Sequence, residues 1–145
     1  MNTRIKRILL VEDNPGDIRL IVEALRVHSI EFHLEHYEKA SEAVNAISRY
    51  ACNSPEVPDL ILLDYNVPCG DARDILAAAA RNPALADVPK AVVTSSVAPQ
   101  DRESAFQLGA RSFIYKPSNL DDFLVEVGGE IAVLLNGKAA AAPTP

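Results

Sequence analysis

Ile8-Leu9-Leu10-Val11-Glu12-Asp13-Asn14-Pro15-Gly16-Asp17 holds the fold in miniature. Four consecutive apolar residues read as a strand buried on both faces, the habit of a parallel sheet. Two acids close that run. Asn14 then suits a helix cap and Pro15 the first helical position, and Ile18, Ile21, Val22 and Leu25 follow at helical spacing. Working outward, the same unit recurs. The strands expected are 7–11, 31–37, 59–63, 90–94 and 112–115. Helices are expected near 41–50, with Ser41 as cap, and at 72–81 and 100–108, Gly109 closing the last of these with positive φ. Alternating strands and helices predict an α/β chain, a doubly wound parallel sheet with helices on both faces. The second strand is the least apolar and belongs at a sheet edge.

The last helix carries Leu120, Phe123, Leu124, Val127, Ile131 and Leu134 on one stripe. Val125, Ala132 and Val133 lie off it and suggest a second apolar face. Gly128-Gly129 interrupts this helix at about 1 kcal/mol each relative to Ala, either kinking it or admitting a close neighbour. Residues 136–145, an Ala/Pro-rich tail, have too little to bury and are expected to be disordered. Nothing folded fits after residue 138, so the expectation is one unit over 5–135 with no output domain.

At 145 residues the chain suits one domain with a two-sided core. A net charge of −6 and pI near 5.0 argue against nonspecific nucleic-acid or anionic-membrane binding. Cys52 and Cys69 fit no metal spacing and read as free thiols in a reducing, cytoplasmic compartment. The basic start before Ile8 is followed by too short an apolar run for a secretory signal, and no segment has the length of a membrane span.

Polar residues fall just past four strands: Glu12-Asp13, Asp64 after Leu60-Ile61-Leu62-Leu63, Thr94 with Ser95 after Ala91-Val92-Val93, and Lys116-Pro117 after Phe113-Ile114-Tyr115. The carboxyl ends of parallel strands form the ligand crevice of such sheets. Taken singly, each has an ordinary reading: acids at a helix N-terminus, a turn aspartate before Pro68 and Gly70, hydroxyls at a strand end, a surface Lys-Pro pair. Together they bring carboxylates, a hydroxyl and an ammonium to one edge. Adjacent carboxylates need a neutralising cation, and Mg²⁺ suits an oxygen-donor site of this kind. Lys116 supplies a point charge for an anion, and a cis bond at Pro117 would aim it inward. His28, His33 and His36 are expected to be structural or solvated and far from the crevice.

Glu12-Asp13, Asp64, Thr94 and Lys116-Pro117 resemble the site of a response-regulator receiver domain of the chemotaxis-regulator type. The spacings of 30 residues from Asp64 to Thr94 and 22 from Thr94 to Lys116 match that pattern. The stretch from Val11 to Asp17 is similar to the short, single-domain regulators that partner phytochrome-type histidine kinases. The resemblance covers about 5–135. It implies a flavodoxin-like five-stranded sheet in the order 2-1-3-4-5, and a phosphorelay switch rather than an enzyme with its own substrate. Asp64 would accept a phosphoryl group from a kinase phosphohistidine. Asp13, Asp64 and the Asn66 carbonyl would bind Mg²⁺, with Glu12 acting through a water. Lys116 and Thr94 would contact the phosphoryl oxygens, Phe113 would rotate with Thr94, and Ser95 would sit beside the group. Asn66 and Ser96 hold the positions that tune dephosphorylation.

Two features depart from the pattern. Asp71-Ala72 stands where the family has Asp-Gly, with the glycine displaced to Gly70, and the connection from Cys52 to Pro58 is long. Two competing readings remain. One is a receiver fold used for docking without phosphorylation. The other is a small-molecule phosphotransferase with Asp64 as nucleophile, disfavoured by Asn66 where a second Asp belongs. A homodimer through the C-terminal helix region is the further partner expected.

Overall fold

The computed structural model describes residues 4–136. Five parallel strands, β1 (Lys6–Val11), β2 (Phe32–Tyr37), β3 (Leu60–Leu63), β4 (Lys90–Thr94) and β5 (Ser112–Tyr115), form one sheet in the order β2-β1-β3-β4-β5. The expected order and the edge position of β2 both hold. Alternate residues of each strand point to opposite faces, so one apolar run feeds two cores. Leu9, Val11, Ile61, Leu63 and Val92 face α2 (Ala40–Ser48) and α3 (Ala72–Ala80). Ile8, Leu10, Leu60, Leu62 and Val93 face α1 (Pro15–Val27) and the C-terminal helix.

Local chemistry sets the helix starts. Asn14 caps α1 by accepting from the Asp17 amide at 3.1 Å, with Pro15 next. Ser41 does not cap α2: the helix begins one residue earlier, at Ala40, and its cap position is Lys39, with no side-chain bond. The Ala40 amide is held by the Pro68 carbonyl at 2.9 Å instead, so a tertiary contact replaces the local cap. At α3, Asp71 and Asp74 form a reciprocal capping box. The displaced glycine has its reason in this loop. Cys69 and Gly70 both take positive φ, 61° and 124°. A Cβ on Gly70 would sit 2.7 Å from Asp74 Oδ2 and 2.9 Å from the Ala40 Cβ. The turn is made at 69–70, leaving Ala72 free to start α3 fully buried.

Beyond α4 (Pro99–Gln107) and β5, the C-terminal helix runs in three pieces: α5 (Leu120–Asp122), a π-helical turn (Phe123–Val127) and α6 (Gly128–Leu135). Phe123, Val127, Ile131 and Leu134 are buried as the stripe predicts. Leu120 is not: it is 54% exposed, because the stripe meets the sheet only from Phe123 onward. Gly128 admits a close neighbour, the His28 ring at the end of α1, whose Nε2 donates to the Leu124 carbonyl at 3.1 Å. The tail expected to be disordered lies, from residue 137, outside the described residues. No helix among the described residues is long and apolar enough to cross a membrane.

Candidate functional site

Strand register delivers the site. Val11 pairs with Leu63, Leu63 with Val92 and Thr94 with Tyr115, so these strands end nearly flush. Glu12, Asp64, Thr94 and Lys116 therefore stand together at one rim. Asp59, the residue before β3, lies at the opposite rim, where it pairs with Arg4 at 2.6 Å.

Lys116 is the centre of the arrangement. Its side chain is 8% exposed. Its Nζ donates to Glu12 Oε1 at 2.9 Å, Asp17 Oδ2 at 2.7 Å and Asp64 Oδ2 at 2.7 Å. Its main-chain amide donates to the Thr94 carbonyl at 2.8 Å, extending the β4–β5 ladder past the strand end. No described peptide bond is cis. The Lys116–Pro117 bond is thus trans, and the lysine side chain reaches the carboxylates without a cis turn.

The carboxylates are held by short local bonds. Glu12 Oε2 accepts from the Asn14 amide at 3.2 Å, and Asp64 Oδ1 from the Asn66 amide at 3.2 Å. Burial pushes the Glu12 carboxyl up to about 7; the Lys116 hydrogen bond opposes this and the Asp64 charge adds to it. For Lys116, burial favours the neutral amine, but the hydrogen bonds it donates to the Asp17, Asp64 and Glu12 carboxylates outweigh it and raise its pKa. Ligand oxygens of Glu12, Asp17 and Asp64 lie within 4.8 Å of one another. Carboxylates on this scale are hard donors of the kind that hold Mg²⁺ or Mn²⁺. Asp13, an expected ligand, is exposed and stands outside this trio.

Asp17 was not expected at the site. It lies three residues past the cap Asn14, in the first turn of α1, where its carboxylate meets Lys116. The signal was its place in that turn, masked by the ordinary preference of helix N-termini for acids. His36 lies closer to the site than its place on an edge strand predicts. Its Nε2 donates to the Glu12 carbonyl at 2.7 Å, so it braces the acid loop rather than lying far from the crevice. Side chains reaching across neighbouring strands leave no mark in a single strand's pattern.

The remaining expected residues surround the centre without touching Lys116 Nζ. Thr94 is buried, and its Oγ1 accepts from the Ser96 amide at 3.1 Å. Ser96 Oγ donates to Asp101 Oδ2 at 2.6 Å. Ser95 and Asn66 are exposed. Phe113 is buried among Tyr65, Phe106 and Tyr115, with ring centroids 6.5, 6.5 and 5.4 Å away. Cys52 and Cys69 are free and exposed.

The profile of the response regulator receiver domain matches residues 8–127. Response regulator Rcp1 of Synechocystis sp. is 36% identical over 126 residues, covering 86% of this chain and 85% of that protein. Among solved structures, the phosphorylated cyanobacterial phytochrome response regulator RcpA superposes with a TM-score of 0.81 at 34% identity, covering 97% of this chain and 100% of RcpA. The Mn²⁺-bound form of Rcp1 gives 0.75 at 33% identity, covering 96% and 97%. With the family's sheet order, and with the carboxylates, hydroxyl and lysine gathered at one rim, the chain belongs to the response regulator receiver domain family.

Proposed function

We propose that residues 5–135 form a phosphorelay switch in which Asp64 accepts a phosphoryl group from the phosphohistidine of a sensor histidine kinase. The observation that carries this reading is the Lys116 ammonium held 2.7 Å from Asp64 Oδ2 in a nearly closed crevice. An Asp64 oxygen attacks the phosphorus in line, the P–N bond breaks, and the departing imidazole keeps the electron pair and takes up a proton. Positioning and charge neutralisation do most of the work in such transfers. Asp13, Asp64 and the Asn66 main-chain carbonyl, with Glu12 acting through a water, would hold Mg²⁺, which would supply charge neutralisation for the phosphoryl oxygens.

Lys116 turns an N–H toward the new oxygens, and Thr94 exchanges its Ser96 bond for one to the phosphoryl group. Ser95 borders the group on the solvent side. Phe113 follows Thr94 because both sit on adjoining strands, and the loops after β4 and β5 carry the change to the surface. Activity as a switch needs no small-molecule substrate, and the chain is read as a signalling protein, not an enzyme. A phytochrome-type kinase is the proposed partner, supported by the 34% identity to RcpA. Exposed free cysteines agree with a cytoplasmic setting. Self-association through the C-terminal helix is supported by Leu120, Val125 and Val133, each about half exposed or more.

Intact mass after incubation with Mg²⁺ and acetyl phosphate tests the reading. One phosphoryl adduct is expected on the wild type and none on Asp64→Asn. No adduct on the wild type, with Mg²⁺ binding verified, would leave a docking adaptor instead. Light scattering of the same samples should show a dimer fraction growing with concentration; a constant monomer mass would remove self-association.

A further inference from the structure

An ammonium has three N–H donors, and in Lys116 all three are engaged, by Glu12, Asp17 and Asp64. A phosphoryl group on Asp64 adds acceptor oxygens and moves negative charge outward. The Asp64 bond passes to the first phosphoryl oxygen. Any further approach of Lys116 requires Glu12 or Asp17 to let go.

These two carboxylates are unequal. The Glu12 side chain is 2% exposed, and releasing it would leave a buried carboxyl without its donor, beyond the reach of water. Asp17 is 28% exposed and sits on the first turn of α1, where water can replace the bond. Asp17 is the exchangeable partner.

Given the phosphoacceptor reading of Asp64, we infer that Asp17 is a positioning residue that holds Lys116 back in the resting state and yields it to the phosphoryl group. Its charge acts on the two ligands in opposite senses. It draws a divalent cation toward the crevice, and it competes with, and repels, an anion at Asp64. Loss of that charge should weaken the cation and tighten the anion. A variant that merely loosened the fold would weaken both.

The test compares wild type, Asp17→Asn, Asp17→Glu and Asp64→Asn. Mn²⁺ affinity is measured alone by water-proton relaxation. Beryllofluoride, a phosphoryl mimic, is titrated at saturating Mg²⁺ by ¹⁹F NMR. Asp17→Asn should bind beryllofluoride roughly tenfold tighter and Mn²⁺ a few-fold weaker, the scale of one charge-assisted hydrogen bond and one nearby charge. Asp17→Glu, which keeps the charge, should stay closer to the wild type in both. Unchanged or weaker beryllofluoride binding by Asp17→Asn would overturn the inference. A wild type that fails to bind beryllofluoride, or an Asp64→Asn that binds it equally, would instead remove the phosphoacceptor reading on which the inference rests.

Discussion

Glu12 is the most buried acid of the crevice, 1% exposed against 9% for Asp64. Its carboxyl rises from 4.5 to about 7 on folding, burial being the main cause. A raised carboxyl pKa means that the folded state holds the proton over a range where the unfolded chain has lost it. The stability this gives is therefore full below about 4.5 and lost as pH climbs through about 7. Metal-free urea melts of the wild type at pH 5 and pH 8 should differ more than those of Glu12→Gln, which has no proton to release. Equal differences would show that Glu12 does not titrate in this window.

At the scale of the element, the C-terminal helix turns on two glycines of opposite character. A Cβ at Gly128 would meet His28 Cδ2 at 2.4 Å, His28 Nε2 at 2.7 Å and the Ala24 carbonyl at 3.0 Å. At Gly129 the nearest such atom is His28 Cε1, at an ordinary 3.8 Å. The His28 ring is anchored to the Leu124 carbonyl and resists being pushed aside. Gly128→Ala should cost about 1–3 kcal/mol by overpacking. Gly129→Ala should add up to about 1 kcal/mol from helix propensity. Urea denaturation separates the two signs. Adding His28→Ala to Gly128→Ala should recover part of the loss, by about 0.5–3 kcal/mol of coupling; strict additivity would show that the ring is not the obstacle.

Across the whole molecule, legibility followed burial. Strands lying between two helical layers become continuous apolar runs, so β1, β3 and β4 and the rim carrying Asp64, Thr94 and Lys116 could be read from the chain, while the sheet order came with the receiver-domain resemblance. What escaped notice depends on contacts between elements: Asp17 reaching Lys116 from α1, His36 crossing to the Glu12 carbonyl, Pro68 standing in for a Ser41 cap, His28 filling the place of a Cβ. Each of these residues is locally ordinary, and its role exists only after the layers pack. The His36 bond also has a consequence for how the molecule breathes. Among the described residues β2 is hydrogen-bonded in the sheet only to β1, and strands held on one side open at lower free energy than interior ones. Since His36 rides on β2 while gripping the Glu12 carbonyl, each fraying of the edge also releases the backbone beside Asp13. Edge and acid loop should thus open as one local unfolding unit, and a bound divalent cation should slow amide hydrogen exchange in β2, although the strand contributes none of the ligands proposed for it.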